Sequence, residues 1–230
     1  MRFDTYDIFA RVVPAVLTGI PFYVLYFFLV SPVLGTFFQS LLSLKVISDV
    51  TVAVALLYLA MHLNRFISKE LYEKRMFKNG QHLPTTCYLL HSDTTLSPEL
   101  KQRVHDKIQS DFGITIPSAR EEGEDEGRSR RLVADSTSLI RTRLGKGKLL
   151  HQHNIEYGFV RNLVGGSVVA VLVSVIGSIL FLNLYPNTTA AGVSLALFVF
   201  YALVLLFGKK IIRSHGTNYC EVLIREYLAL

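Results

Sequence analysis

Two long stretches of this 230-residue chain contain no charged residue. They are Val12–Val30 and Leu163–Leu184, and each is long enough to cross about 30 Å of hydrocarbon as a helix. They belong to two apolar zones, 12–63 and 163–207, which enclose a strongly charged segment at 64–162. This pattern excludes an entirely soluble protein and indicates an integral membrane protein with a soluble insert.

Cysteine is scarce, and recognisable catalytic motifs are absent from the sequence. Cys87 and Cys220 are the two cysteines. Both fall in segments that the charge pattern assigns to the reducing side of the membrane, so no disulfide framework is expected. The sequence contains no P-loop, nucleophile elbow, H-E-x-x-H motif or kinase signature. It therefore predicts a non-enzyme without a cofactor.

Turn signals divide each apolar zone into two spans. Ser31-Pro32 interrupts the first zone and Tyr185-Pro186-Asn187 the second, which places further spans at Val46–Leu63 and Ala190–Phe207. The predicted fold is a mainly α membrane protein with four transmembrane helices in two hairpins. Whether Leu34–Leu44 is transmembrane or interfacial stays open. The predicted divisions are 1–63, 64–162, 163–207 and a cytoplasmic tail helix at 208–230.

Charge predicts the orientation of these spans. Of the 24 Lys and Arg residues, 17 lie between Arg65 and Arg161, and only Lys45 falls on the far side of the predicted membrane. Under the positive-inside rule, the insert and both termini are cytoplasmic. We expect a multi-pass protein of the bacterial inner membrane. Its net charge of +6 mostly reflects this topology.

The insert predicts a small helical or α+β domain. Ser97-Pro98-Glu99 supplies a cap, a proline and an acid for a helix that ends at Gly113. Pro84–Leu90 and Ile114–Ile116 have the composition of short strands. Another helix is predicted over Arg130–Leu144. With little apolar core, such a domain is expected to depend on oligomer contacts.

Two further segments have simple predicted roles. The acidic run Glu121–Glu126 is either a solvated mobile loop or a cover over a basic site. The tail 218–230 is expected to pack on the insert through Val222, Leu223 and Leu228, or to lie on the membrane.

The strongest candidate site is a basic cluster just before the third span. Arg and Lys side chains beside a glycine-rich turn suit phosphate oxygens, whereas the simpler alternative is a juxtamembrane patch that meets anionic headgroups. The candidate anion-binding residues are Arg141, Arg143, Lys146, Lys148, Arg128, Arg131, His151 and His153. No metal is predicted, because His151 and His153 diverge on a helix and no further ligands complete four.

A few side chains within the spans are candidates for a pore or gate. Lys45 and Asp49 share one helix face, and ionisable groups at membrane depth usually face protein or water. They can equally lie at the outer interface, and His62, near the inner end of the same span, fits an interface residue better than a gate. The stripe Gly166, Ala170, Ser174 and Ser178 on the third span predicts close approach of another helix, from the same chain or another.

Paired hairpins around a charged insert resemble the bacterial anti-phage four-transmembrane effectors, of which the Hailong-type channel effectors are most similar. The segments that carry the resemblance are His82–Thr86, Arg141-Thr142-Arg143 and Asn154–Asn162. The resemblance implies a homo-oligomeric ion channel or pore, for which a tetramer is assumed. It also implies gating by a nucleotide or oligonucleotide made by a partner nucleotidyltransferase, with the bound ligand holding the Hailong-type channel closed. The sequence itself shows neither direction of control.

The predicted function is therefore a ligand-gated, pore-forming membrane effector. A symmetric oligomer whose inserts rearrange on binding an anion would tilt or separate its spans. The alternative is a membrane scaffold or sensor that recruits a cytosolic partner protein and conducts no ions. A small transporter is a third interpretation, opposed by the lack of an inverted repeat between the hairpins.

Overall fold

Helices are the only regular elements in the described part of the chain. The computed structural model describes residues 4–31, 49–78, 80–145 and 148–230. Their contacts divide the protein into two compact units. The bundle unit comprises Met1–Leu71 and Gly158–Lys209, and the charged unit comprises Tyr72–Tyr157 and Lys210–Leu230.

The bundle unit begins with α1, Thr5–Val30. The Asp4 carboxylate accepts the N–H of Asp7 at 2.9 Å and so caps the first turn. Helix α1 has π-helical stretches at Ile8–Val12 and Tyr26–Val30. Pro21 is accommodated inside it.

Helix α2 runs over Asp49–Ile67 and extends beyond the predicted second span. A π-helical stretch, Ser68–Glu73, joins it directly to α3, Lys74–Phe77. The chain then turns at Lys78, whose φ of 40° is left-handed. The helical path therefore runs from the predicted second span into the charged segment without a break.

Two long helices complete the bundle unit. Helix α8 covers Lys148–Ile179 and is prolonged by the π-helical Leu180–Leu184, while α9 covers Thr188–Leu228. The predicted break at 185–187 is confirmed by the short connection between them. The residues predicted as a separate tail helix continue α9 without interruption.

Three helices in the described residues are long and apolar enough to cross a membrane. They are α1, the α8 stretch Leu149–Leu184 and α9. The protein is therefore a mainly helical, multi-pass membrane protein. Helix α2 is not among the three, and residues 46–48 of its predicted span lie outside the described residues, as does Leu34–Leu44.

Specific contacts align four helices side by side in the bundle unit. Asn64 of α2 bonds Thr18 of α1, whereas Ser68 lies beside Asn162, which bonds the carbonyl of Ala10. The residue numbers of the contacting positions rise along α2 and fall along α1, so these helices are antiparallel. Gly158 and Phe181 of α8 lie beside Ala10 and Phe28 of α1, so α8 is parallel to α1. Val164 and Gly177 of α8 lie beside Gly208 and Ser194 of α9, so α8 is antiparallel to α9.

The charged unit contains four further described helices before α8. They are α4, Pro84–Cys87; α5, Pro98–Phe112; α6, Ala119–Glu124; and α7, Glu126–Leu144. The predicted start of α5 is confirmed, because Ser97 caps the N–H of Leu100 at 3.3 Å. Its end is confirmed too, since Gly113 has a φ of 68°.

A continuous apolar core holds the charged unit together. It is built from α5, α7, the C-terminal part of α9 and the residues after α4. The expected packing of the tail is confirmed, because Leu223 is buried in this core and Val222 and Leu228 pack against it. The largest fully buried side chains of this core are Tyr227, Leu89, Leu90, Ile108, Ile140 and Leu223.

Both predicted strands are wrong. Pro84–Cys87 is a helical turn, because Leu83 is extended and Pro84 occupies the first helical position, where its fixed φ suits a helix. Residues 114–116 form no strand, although Ile114 and Ile116 pack on the core. Helices are thus the only regular elements of the small domain in its described residues.

The acidic run predicted as a loop is also largely helical. It spans α6 and the start of α7, and Ser118 and Glu121 form a reciprocal capping box at α6. Helix α7 starts four residues earlier than predicted, because Asp125 accepts the N–H of Arg128 at 2.8 Å. Gly145 ends α7 with a φ of 61°, as predicted.

Candidate functional site

Arg141 occupies a distinctive place in the last turn of α7. Its Nη2 donates to the Oγ1 of Thr85 at 3.1 Å. Thr85 is buried in the first turn of α4, where Leu83 and Pro84 fix its position. The Nε of Arg141 is itself buried and has no hydrogen-bond partner among the described residues. A guanidinium has five N–H donors, so most donors of Arg141 have no partner among the described residues.

Among the described residues, the charge of Arg141 also lacks an acidic neighbour. In the part of the chain that the structure describes, no carboxylate lies within 4.0 Å of its guanidinium nitrogens. A half-buried cation without a counter-ion raises the affinity of its surroundings for an anion, since burial strengthens charge–charge attraction. Among the described residues of the predicted cluster, Arg141 therefore combines partial burial with the lack of a carboxylate partner.

Arg143 is in a different environment, although it lies only two residues away. Residues two apart point about 200° apart around a helix. The Nη2 of Arg143 lies 3.3 Å from Asp111 Oδ1, and its guanidinium lies 5.8 Å from the ring centroid of Phe112. Asp111 also accepts a hydrogen bond from Tyr227 at 3.0 Å. Arg143 is thus already paired with a carboxylate of α5, which it shares with Lys107 at 3.8 Å.

The remaining predicted arginines are not gathered with Arg141. Arg128 and Arg131 are exposed in the first two turns of α7, and Arg128 lies about 20 Å along the helix from Arg141. Arg130, between Arg128 and Arg131 in the sequence, forms an ion pair with Glu126 at 2.6 Å and donates to the carbonyl of Gln81 at 3.2 Å. Helix α7 therefore separates the cations along its length.

The two predicted histidines lie in the first turns of α8. The Nδ1 of His153 is 3.5 Å from Glu156 Oε2, and His151 is partly exposed. His215 of α9 approaches the same carboxylate at 3.9 Å. Among the described residues, no group of three or more His, Cys, Asp or Glu side chains is arranged to hold a metal. Lys146 and the Lys148 side chain lie outside the described part of the chain.

The candidates for a pore or gate are also only partly described. Lys45 lies outside the described residues, and Asp49 is the first residue of α2, with its side chain likewise outside them. His62 is exposed on α2, where its ring centroid lies 4.4 Å from that of Tyr58.

A buried polar cluster that the sequence interpretation missed organises residues 89–93 of the charged unit. The carboxylate of Glu122 accepts the N–H groups of His91 and Ser92 at 2.7 and 2.9 Å. The ammonium of Lys101 donates to the carbonyl oxygens of Leu90, at 2.7 Å, and Asp93. These contacts satisfy backbone groups that would otherwise lose their hydrogen bonds on burial.

Histidine completes this cluster. The Nε2 of His105 donates to the carbonyl of Leu89 at 2.8 Å, and its ring centroid lies 5.2 Å from that of His91. Burial lowers the pKa of His105, and the nearby His91 and Lys101 lower it further, against the hydrogen bond to Leu89. His105 is therefore held neutral at physiological pH.

The Glu122 carboxyl is held in the charged state. Burial raises its pKa, but hydrogen bonds from Ser92 and His91 outweigh burial, so the pKa lies below its ordinary value. Cavities of about 360 and 330 Å³ flank His91 on its Lys101 and Glu122 sides. In the sequence, Glu122 is one of several acidic residues in Glu121–Glu126, and no pattern distinguishes its buried carboxylate from its neighbours.

The bundle unit contains a second buried polar cluster, and the sequence interpretation did not identify its members. Thr18, Asn64, Ser68 and Asn162 are all buried there. Their side chains connect α1, α2 and α8 through hydrogen bonds of 2.6 to 3.3 Å. A Cβ on Gly166 would lie 2.5 Å from Asn64 Nδ2, so the predicted small-residue stripe allows α2 of the same chain to approach.

No family model, curated protein or solved structure matches this chain. The arrangement of its own side chains is accordingly the basis for the functional proposal.

Proposed function

We propose that the protein is a membrane effector of bacterial anti-phage defence that forms an oligomeric ion channel or pore. A nucleotide or short oligonucleotide from a partner nucleotidyltransferase is proposed to gate it by binding in the charged unit. The observation that carries the proposal is Arg141, a half-buried guanidinium with no carboxylate counter-ion among the described residues. Phosphate oxygens match the fork of N–H donors that this side chain presents.

Four transmembrane passes are part of this proposal. Helix α2 has the 19 residues of Asp49–Ile67, which span about 28 Å. Its antiparallel contacts with α1 support a second pass, although α2 is not among the three described helices that are long and apolar enough to cross a membrane. Four passes put both termini on one side, and the distribution of Lys and Arg favours the cytoplasmic side of the inner membrane.

Chain continuity supports transmission from ligand to pore. Helix α8 includes residues of both units, as do α9 and the uninterrupted helical stretch from α2 into α3. A ligand shifts a closed–open equilibrium only by its differential affinity for the two states. In the proposed mechanism, an anion at Arg141 changes the position of α7 and hence of α8, which begins four residues after α7 ends.

The matched pair Arg141→Gln and Arg143→Gln tests the ligand site. We expect Arg141→Gln to weaken binding of a fluorescent short oligonucleotide by about 10- to 100-fold, the range of one or two charge-assisted hydrogen bonds. Arg143→Gln removes the same charge from a group already paired with Asp111, so its affinity is expected to stay within about threefold. Fluorescence anisotropy in detergent measures both affinities.

Planar-bilayer recordings of the same proteins test the conducting function. The wild-type oligomer is expected to show unitary currents that change when the nucleotide is added, and Arg141→Gln is expected to conduct without that response. Equal loss of affinity in the two variants contradicts the assignment of Arg141. A silent bilayer with a verified oligomer contradicts the pore and favours the recruitment scaffold.

A further inference from the structure

The outward surface of α2 and its π-helical continuation differs from the surfaces of α8 and α9. Tyr58, His62, Arg65 and Lys69 follow one another at helical spacing and form a polar stripe. Tyr58, His62 and Lys69 are exposed, Arg65 is partly exposed, and the rings of Tyr58 and His62 stack edge to face. Exposed apolar side chains flank this stripe, among them Leu59, Leu63 and Phe66.

Helices α8 and α9 present no comparable polar stripe over their described apolar lengths. All exposed residues of α8 from 168 to 182 are apolar, and so are all those of α9 from 192 to 207. The exposed large side chains there are Leu172, Ile176, Ile179, Leu182, Val193, Leu195, Val199, Phe200, Leu203, Leu206 and Phe207. Such surfaces suit lipid tails directly.

Contacts within the bundle unit place His62 inside the apolar band. Asn64 lies beside Gly166, and Val164 lies beside Gly208, so His62 and Leu203 are at the same level along the antiparallel helices. Leu203 is six residues from Lys209, a distance of about 9 Å along α9. An ionisable ring at this level is costly against lipid and is normally found facing protein or water.

We infer that α2 lines the conducting passage of the oligomer, with Tyr58, His62, Arg65 and Lys69 facing water between copies of the chain. This inference rests on the proposed pore function and identifies the helix that forms the pore wall. It also accounts for the composition of α2: a helix with one face on water carries polar residues that a lipid-facing helix excludes. The apolar flanks of the stripe then contact second copies of the chain.

Cysteine accessibility tests the inference independently of conduction. His62→Cys and Tyr58→Cys place a thiol on the stripe, and Leu203→Cys is the matched control at the same depth on a lipid-facing surface. The three positions are exposed, so the substitutions leave the core intact. Reaction with a charged, membrane-impermeant thiol reagent in intact proteoliposomes is mapped by peptide mass spectrometry, with the native Cys87 and Cys220 retained.

We expect His62→Cys and Tyr58→Cys to react about tenfold faster or more than Leu203→Cys, since the thiolate forms in water and not in lipid. A small, membrane-permeant maleimide is the control for intrinsic reactivity and should label all three. Equally slow reaction of all three with the charged reagent overturns the inference.

Currents from the same variants separate the inference from the function on which it rests. Fast labelling together with current block by the reagent supports both. A conducting protein whose stripe cysteines react no faster than Leu203→Cys overturns only the assignment of α2. If the stripe cysteines are labelled quickly but the protein conducts no current, α2 faces water and the proposed pore function is wrong.

Discussion

Asn64 on α2 donates its side-chain N–H to the hydroxyl oxygen of Thr18 on α1 at 2.8 Å, and both side chains are buried. The Thr18 hydroxyl in turn donates to the carbonyl of Pro14 at 2.9 Å. This chain of polar groups lies within a unit whose outer surfaces are largely apolar. It fixes the register of α2 against α1, because a shift of either helix would leave a buried amide without a partner.

A double-mutant cycle on this pair is the first prediction. Asn64→Ala and Thr18→Val each remove the hydrogen bond, and together they are expected to show a coupling of about 0.6–1.7 kcal/mol, the range for such bonds between membrane helices. Thermal unfolding in detergent, followed by circular dichroism, measures the four proteins. Strict additivity of the two substitutions would show that the bond contributes nothing to stability.

The second prediction concerns the approach of α2 to α8. A Cβ on Gly165 would lie 2.6 Å from the backbone oxygen of Asn64 and 2.6 Å from Ser68 Cβ. Because backbone cannot move aside cheaply, Gly165→Ala is expected to lower the free energy of unfolding by about 1–3 kcal/mol. The matched control is Gly192→Ala on α9, where a Cβ meets nothing within 4 Å.

The same unfolding measurement, supported by size-exclusion chromatography, distinguishes the two glycine variants. Gly192→Ala should unfold at or above the wild-type temperature, since alanine favours a helix over glycine by about 1 kcal/mol. If Gly165→Ala were as stable as Gly192→Ala, the close packing of α2 on α8 would be wrong.

The third prediction is a pH dependence that Glu122 confers on the charged unit. Its pKa in the folded protein lies below the ordinary value of 4.5, so the carboxylate stabilises the fold at neutral pH. That contribution decreases as pH falls through 4.5 and the folded-state pKa, because the unfolded chain takes up the proton first. Glu122→Gln is expected to be less stable at pH 7 and to lose less stability on acidification.

Unfolding in urea at several pH values measures the effect of Glu122. The control Glu124→Gln removes a carboxylate that is exposed and paired with Arg120, and should change stability at pH 7 by less than about 0.5 kcal/mol. Wild-type stability of the Glu122→Gln protein at pH 7 would show that this carboxylate does not stabilise the conformation of residues 89–93.

His105 supplies a fourth prediction in a separate pH window. Burial lowers its pKa below the ordinary value of 6.5, so the folded protein binds the proton less readily than the unfolded chain. Stability is therefore fully present above 6.5 and decreases as pH falls from there toward the folded-state pKa. His105→Gln, which retains a donor for the Leu89 carbonyl, should flatten the stability profile between about pH 7 and pH 5. An unchanged slope of stability against pH in His105→Gln would show that His105 does not cause this pH dependence.

Local signals in the sequence predicted several elements correctly because their causes are local. Ser97, Pro98 and Gly113 set the ends of α5 through a side-chain cap, a fixed φ and a left-handed φ, which depend on neighbours within a few residues. The strand predicted over Pro84–Leu90 was wrong because β-forming residues give only a weak preference. A proline at the first helical position and packing against the core decided that segment instead.

The candidate site was less predictable than the helices. Arg141 and Arg143 look equivalent in the sequence, but only Arg143 meets Asp111, which lies 32 residues earlier on α5. Glu122 looks like its acidic neighbours, yet its carboxylate bonds the backbone of His91 and Ser92. Such differences arise from contacts between distant segments, which a one-dimensional pattern of charge does not contain.

The sequence by itself determined that this is a multi-pass membrane protein, because about 20 uncharged residues suffice to span hydrocarbon as a helix whatever their neighbours. It also determined where α5 and α7 stop. Only the tertiary structure decided that Asn64 meets Thr18, that α2 packs against Gly165 and Gly166, and that Arg141 meets no carboxylate among the described residues. Those outcomes depend on which faces of different helices come together, and close packing of side chains far apart in the chain sets that choice.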